Sequence, residues 1–573
     1  MLIVAGFLAV GGRLTFIHCD LLEKKPDTPK TALFYETKGL RGSIYSADKN
    51  AAPFACSIPL RFYHLDPRAP IVEKARASGK LDEAVKTIAR ELDIPESEVA
   101  EAYGKKSRHV FLKRSSDNNA YMALTNPRQP GLKIEEQDVR VYPFGKTAVH
   151  IVGCLNRDTS NRVGVCGIEL SHQKNLVPIS GQIRGFKTAN RREVRAKRTL
   201  DIEAKNGHNI HLTIIPDIQC EMEDALYEGM TNAQAEAGWA IAMDVKTGAI
   251  LAMASLPTFE PETFNKFPET NYKNRAIAFN YEPGSVMKTI TAAAALNEGI
   301  TSPEKTYYTE RSAWYYCGRI LNESHRMDDY LSLRDALVHS SNITYAKVGL
   351  ELGPQRLWEY MRKFGFGVKT GIDLPAEESG ILGNYKKWDK LKWSRAPIGQ
   401  GVAVTAIQLC SAYAAIANDG ILMRPYVISK IVSSDGEEIY RHSPVEVHRV
   451  IRSDVARTVR KMMLGVAKRG GTARRAAVPG YTIAGKTGTA QMPGVNNRGY
   501  SSTDFWGSFV GIIPATTPRL AILVTYQKGN RRIRMNQGGQ NAAPVFRRIA
   551  TMAMRYLEVA PDLPEEIPEF PEE

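Results

Sequence analysis

The chain has 573 residues, 43 % of them hydrophobic and 24 % charged, a globular composition that excludes wholesale disorder and collagen or coiled-coil architecture and suggests two to four domains. Lysine and arginine exceed aspartate and glutamate by 15, a balance that suits an anionic membrane surface, an acidic polymer or simply a solvated basic surface. The seven cysteines lie far apart, with no CxxC and no Cys/His cluster, so no zinc pattern is present.

Residues 1–10 carry no polar side chain, Gly11-Gly12-Arg13 interrupts, and residues 14–17 are mostly apolar again. A membrane span needs about 20 apolar residues. The stretch therefore reads either as a buried element or as the outer part of an incomplete membrane anchor, assigned to residues 1–18. Residues 19–205 read as a loop-rich domain. A charged helical stretch is expected over 75–103, broken at Ile94-Pro95, with short strands at 110–112 and 149–152. Residues 184–198 hold seven basic residues and one acidic. Only Phe186 interleaves with them, so an exposed ribbon is expected and no nucleic-acid partner.

Composition shifts near Ile210, and a second domain is expected over 206–558. A strand is expected at 210–215, and a hairpin at 239–255 turning at Lys246-Thr247-Gly248. Helical patterns dominate 285–418. Strands follow at 481–484, 505–513 and 520–526, then an amphipathic helix at 544–557. Residues 559–573 hold six acids, four prolines and no base, the composition of a disordered tail.

Serine is a poor nucleophile at its free pKa and needs an adjacent base. A lysine three residues later on a helix lies on the same face and can serve. This SxxK string is partnered in serine acyltransferases by SxN and KTG. Each string is weak alone: SxxK begins here at Ser46, Ser171, Ser285 and Ser302, SxN at Ser116 and Ser340, and KTG at Lys246, Lys369 and Lys486. Context chooses among them. Only Ser285 opens a good helix, after Pro283-Gly284, where the positive end of the helix dipole also acts on it. Ser340-Ser341-Asn342 lies between helical patterns, and Lys486-Thr487-Gly488 extends a strand. There Gly488, lacking Cβ, is expected to let a substrate backbone lie alongside.

The ordered set Ser285, Ser340 and Lys486 resembles that of a class B penicillin-binding protein, a membrane-anchored peptidoglycan D,D-transpeptidase. NYEPGSVMK (280–288) is similar to the family's nucleophile region. HLTIIPDIQ (211–219), WAIAMDVKTGAILAMASLPTFEP (239–261), IGQGVAVTAIQL (398–409) and GGQNAAPVF (538–546) resemble its other catalytic-domain segments. Upstream, RGSIYSADKN (41–50) and RVYPFGKTAVHIVG (140–153) resemble its linker-domain motifs, so the likeness runs over about residues 13–557. Glu282 before Pro-Gly-Ser and Asn342 in the second motif resemble the division-specific (FtsI-type) branch. Residues 370–374, TGIDL, form a string shared with the elongation and sporulation branches.

The resemblance implies an α/β (α+β) transpeptidase domain of the penicillin-binding and serine β-lactamase type. It has an antiparallel sheet flanked by helices, a loop-rich N-terminal pedestal or dimerisation-type domain, and a membrane anchor. It implies Ser285 as nucleophile and Lys288 as base, with Lys486 and desolvation both lowering the pKa of Lys288. Ser340 would be the proton relay and Asn342 the residue orienting Lys288. Lys486, Thr487, Gly488 and Thr489 would form the substrate edge, and no cofactor or metal is needed. Implied partners are peptidoglycan stem peptides, β-lactam antibiotics, the membrane, a separate membrane glycan polymerase (FtsW-type) and other divisome proteins. The implied place is the inner (cytoplasmic) membrane, single-pass, with the catalytic domain in the periplasm. The readings weighed against a division transpeptidase are an elongation-type enzyme, a β-lactam-sensing receptor and a serine β-lactamase.

Overall fold

The computed structural model describes residues 32–158, 162–186, 194, 198–493 and 499–563. The expected anchor over 1–18 and the tail beyond 563 lie outside the described residues. Among the described residues no helix is long and apolar enough to cross a membrane. The chain divides into a small unit drawn from Met1–Arg41 and Val177–Gly207, and a large one drawn from Gly42–Leu176 and His208–Glu573. The small unit is a three-stranded antiparallel sheet with Gly181–Phe186 between Ala32–Thr37 and Leu200–Ile202. The basic stretch thus starts as a strand, with the Arg184 guanidinium 5.3 Å from the centre of the Phe34 ring; most of 187–197 lies outside the described residues.

Among the described residues the large unit holds two main sheets and three two-stranded ones. Its C-terminal half starts with helix α1 (Pro216–Ala233), which has proline in its first turn and Gln234 in left-handed conformation at its end. Strands β1 (Ala237–Asp244) and β2 (Ile250–Leu256) form the expected hairpin. Its turn is set by the Asp244 carboxylate, which accepts the N–H groups of Lys246 and Thr247. Helices α2 (Met287–Asn297), α3 (Asn342–Leu352) and α4 (Ala406–Ala417) follow. Strands β3 (Ala484–Pro493), β4 (Tyr500–Ile513) and β5 (Leu520–Gln527), then helix α5 (Ala542–Tyr556), complete the half.

The sheet order is β2-β1-β5-β4-β3, antiparallel throughout. Every residue of β1 is buried, because both faces are covered. Trp239, Ile241 and Met243 join the core that includes α2 and α4, while Ala240 and Ala242 join the one beneath α1 and α5. This period-2 division is what a central strand requires. All twelve residues of α4 are buried, as its alanine-rich sequence permits, and Thr405 with Gln408 closes a capping box at its start.

The second sheet is built on the long strand Pro53–Leu65, which pairs with Val110–Ser115, Leu132–Val141 and Ile44–Tyr45. Ile44–Tyr45 also runs parallel to Asn209–Leu212, and Asn209–Leu212 pairs with Ile428–Val432 of the C-terminal half.

Four expectations change. The charged stretch is three helices, Pro70–Ala77, Leu81–Leu92 and Glu96–Gly104. Val149–Val152 is a fully buried helical turn rather than a strand. A short apolar run cannot distinguish the two by period, and here the Glu223 carboxylate holds the Ala148 N–H at its start. The helical region contains four short strands, Thr306–Tyr308, Ala313–Tyr316, Arg319–Asn322 and Tyr330–Ser332. The strand expected at 481–484 begins at Ala484 and carries the KTG residues inside it. Upstream of it Thr482 is occupied otherwise: Asp562 accepts its N–H, and Tyr481 donates to the Val559 carbonyl. Residues 559–563, at the head of the expected tail, are thereby tied to the segment ahead of β3.

Candidate active site

The nucleophile segment is fastened from both sides before its helix begins. Tyr281 exchanges both backbone hydrogen bonds with Val404. The Glu282 carboxylate accepts the Gly401 N–H at 2.8 Å and the Tyr500 hydroxyl at 3.2 Å. Gly284 N–H donates to the Gly399 carbonyl. Gly284 has φ +58°, and a Cβ there would lie 2.9 Å from the Ala490 Cβ. A Cβ on Gly488 would meet the Pro283 carbonyl at 3.1 Å and Val286 at 3.2 Å. The two glycines therefore let β3 pack directly onto the Ser285 turn. Gly488 was expected to make room for a substrate backbone; the space it leaves is taken by the nucleophile turn.

Ser285 is half-buried in the 3-10 turn that feeds α2. One turn on, Lys288 is fully buried. Its Nζ donates to the Ser340 carbonyl at 2.6 Å and to Asn342 Oδ1 at 2.8 Å, and lies 3.2 Å from Ser340 Oγ. Lys486 Nζ, also fully buried, donates to the same Ser340 hydroxyl at 2.8 Å and to the Thr487 carbonyl at 3.1 Å. One hydroxyl thus joins two buried amines. Ser340 reaches both because its backbone is left-handed, φ +62°, an uncommon state for a residue with a side chain. Thr487 bonds the Thr472 hydroxyl at 3.0 Å, and Thr489 is exposed on the same strand.

Burial lowers the Lys288 pKa to about 7, opposed by the Glu323 charge. Lys486 lies well below its ordinary value, through burial first and the Lys288 charge second. Of the two expected causes, desolvation is the one that depresses Lys288, while the charge coupling between the lysines falls on Lys486.

Glu323 was not anticipated. Its carboxylate accepts the Ser341 hydroxyl at 2.5 Å and the N–H groups of Asn342 and Ile343 at 2.6 and 3.0 Å. It sits on the orphan donors of the α3 N-terminus, where a negative charge is favoured, and so fixes Ser340 and Asn342. Asn342 also donates to the Asn322 carbonyl. Glu323 follows a strand in the region expected to be helical, and no motif marks it. Thr472 likewise lies in an irregular segment.

The rejected strings sit elsewhere. The Ser46 hydroxyl closes a turn on Asp48 and Ala52. Ser171 is exposed beside His172. Lys246 lies in the β1–β2 turn and reaches Asn418. Beside Lys369, Thr370 bonds Glu377.

A half-buried serine at a helix start, backed by two buried lysines and a serine–asparagine pair, is the equipment of a serine acyltransferase. The model of the penicillin-binding protein transpeptidase domain matches residues 238–551, and that of the penicillin-binding protein dimerisation domain matches residues 36–212. The chain belongs to the penicillin-binding protein transpeptidase family. It is similar to penicillin-binding protein PbpB of Mycolicibacterium smegmatis, 31 % identical over 556 residues, 91 % of this chain and 83 % of that relative. It is also similar to peptidoglycan D,D-transpeptidase FtsI of Escherichia coli, 29 % identical over 552 residues, 96 % of this chain and 89 % of the relative. Penicillin binding protein 3 of Mycobacterium tuberculosis, solved in complex with aztreonam, has TM-score 0.70 and 26 % identity, covering 92 % of this chain and 99 % of that one.

Proposed function

We propose that the protein is a peptidoglycan D,D-transpeptidase of septal wall synthesis, working through an ester on Ser285. The observation that carries this is the hydrogen-bonded run Lys288–Ser340–Lys486, with Lys288 brought to about 7. A charged Lys288 fills three N–H positions. A neutral one keeps two, for the Ser340 carbonyl and Asn342 Oδ1, and turns a lone pair to a hydroxyl.

The steps follow. Ser285 Oγ attacks the carbonyl carbon between the two terminal D-Ala residues and gives its proton to Lys288. The N–H groups of Ser285 and Thr489 hold the oxyanion. The C–N bond breaks, and Ser340 relays the proton from Lys288 to the departing amine. Lys486, Thr487 and Thr489 hold the terminal carboxylate along the strand that Gly488 keeps against the nucleophile. A second stem peptide's amine then attacks the ester and loses its proton to Lys288, which returns it to Ser285. A β-lactam stops at the ester, in keeping with the family's name. The steps call for no cofactor.

The septal assignment is supported by the FtsI and PbpB relatives and by Glu282 and Asn342. The TGIDL string argues for neither branch, because the Asp373 carboxylate accepts the Val427 and Ile428 N–H groups and so serves the fold. We place the catalytic domain over 206–558 and the pedestal over 19–205. A single span ahead of 19 would anchor the chain in the inner membrane with its bulk in the periplasm, beside a separate glycan polymerase.

Mass mapping of a fluorescent-penicillin adduct tests the chemistry. The labelled peptide should contain YEPGSVMK, and Ser285→Ala should take no label. An adduct on Ser46, Ser171 or Ser302 would sink the assignment. Depletion in the host tests the septal role. Filaments with unclosed septa are expected, whereas swollen cells that still divide would overturn it.

A further inference from the structure

A cavity of about 1620 Å³ lies between α5 and the segment from Leu464 to Ile483. Lys468, Arg469, Arg474, Arg475 and Arg555 line it, and all five are exposed. No described carboxylate forms an ion pair with any of these five; Arg548, also in the wall, is held by Glu221 and Glu228. Thr472 and Gly539 line the same cavity, and the Thr472 hydroxyl bonds that of Thr487. A groove of this charge beside the KTG strand is built for an acidic, extended ligand.

The chain itself arrives there. Beyond α5 the Asp562 carboxylate accepts the Thr482 N–H and the hydroxyls of Thr482 and Thr516. Leu563 donates its N–H to the Gly480 carbonyl, and its side chain forms part of the groove wall. The ten residues that follow, PEEIPEFPEE, hold five glutamates and no base. Their three prolines favour an extended backbone rising about 3 Å per residue, a reach of about 30 Å. Leu464 and Met552, half-buried in the walls, add apolar surface to the groove.

We propose that this groove is a binding site for an acidic peptide segment and that its occupant is the chain's own residues 564–573. Each exposed ion pair contributes at most about 1 kcal/mol. Tethering at Asp562 raises the local concentration of the segment to the millimolar range, so several weak pairs suffice. An occupied groove places negative charge beside the strand that would receive a substrate carboxylate. The inference rests on the groove and on the anchoring of Asp562 and Leu563, and stands whether or not Ser285 is the acylated residue.

The test uses the full chain with a photo-crosslinking phenylalanine analogue at position 570, mapped by mass spectrometry. Cross-links to residues 464–483 or to the groove face of α5 are expected. In parallel, a labelled peptide of residues 564–573 is titrated by fluorescence anisotropy onto the chain ended after Leu563, which keeps every described residue. R474E with R475E should weaken binding about tenfold, as should raising salt to about 0.5 M. A peptide with Glu565 and Glu566 changed to Lys should recover affinity on that variant. Circular dichroism checks that the variant folds. Cross-links confined to other surfaces, binding indifferent to the two arginines, or capture of an acidic stem peptide but not of the tail would each overturn the proposal.

Discussion

Lys288 has an ordinary value of 10.5, and burial takes it to about 7. In the proposed mechanism the neutral amine is the active base, so protons would oppose the reaction. Acylation by penicillin should fall about tenfold for each pH unit below about 7 and level off above it. Stopped-flow rates from about pH 5.5 to 8.5 check this, and a flat profile would remove Lys288 as the base. The same group bears on stability. Between about 7 and 10.5 the unfolded chain binds a proton that the folded chain does not, so its contribution rises with pH across that window and is lost as pH falls to about 7. Lys288→Arg keeps a charge that cannot be given up and should abolish acylation. Glu323 acts through others. Glu323→Gln puts an amide donor among three donors at the α3 N-terminus and should cost about 1–2 kcal/mol in urea unfolding. It also removes the charge that raises the Lys288 pKa. The acid limb of the acylation profile should therefore move below about 7, which loss of a cap alone would not do.

Among the elements, the contact of β3 with the Ser285 turn holds the strand that carries Lys486 against the start of α2. Gly284→Ala would place a methyl 2.9 Å from the Ala490 Cβ at a φ of +58°. The left-handed strain is about 1 kcal/mol, and the strand must also shift. Acylation should drop at least about tenfold while circular dichroism is unchanged; a normal rate would mean that the turn and strand have slack. This packing also marks the limit of what the sequence discloses. Ser285, Lys288, Ser340, Asn342 and Lys486 could be chosen by motif order and helix context, because one helical turn and one strand register are local properties. The β1–β2 hairpin was legible for the same reason, its Asp244 turn lying between two buried runs. Glu323 and Thr472 were not. Each reaches its partner across a gap that only the tertiary fold closes, Glu323 over 18 to 20 residues and Thr472 over 15. Val149–Val152 misled because β-branched residues favour a strand locally, whereas the Glu223 carboxylate from α1 and the surrounding core make it a helical turn.

At the scale of the molecule, the sheet around Pro53–Leu65 joins sequence from before and after the first catalytic helix. Ile44–Tyr45 lies between that strand and Asn209–Leu212, which pairs in turn with Ile428–Val432. Within it, Arg140 of the RVYPFG segment is buried, with Nε on Glu169 at 2.7 Å and Nη1 on the Gly42 carbonyl at 2.8 Å. Gly42 and Arg140 belong to the two upstream segments singled out by resemblance, and one guanidinium ties them together with Glu169. A buried ion pair need not add net stability, but removing one partner strands the other charge and costs about 3–5 kcal/mol. Arg140→Met should therefore lower the unfolding free energy, measured by urea titration, by an amount in that range. Arg140→Met with Glu169→Leu, which removes both charges and leaves apolar volume, should recover most of the loss. Penicillin acylation in the absence of urea should persist in both variants, because Ser285, Lys288, Ser340 and Lys486 touch neither residue. If the double variant is no more stable than Arg140→Met alone, the guanidinium's bond to Gly42 rather than its charge balance with Glu169 holds this sheet together.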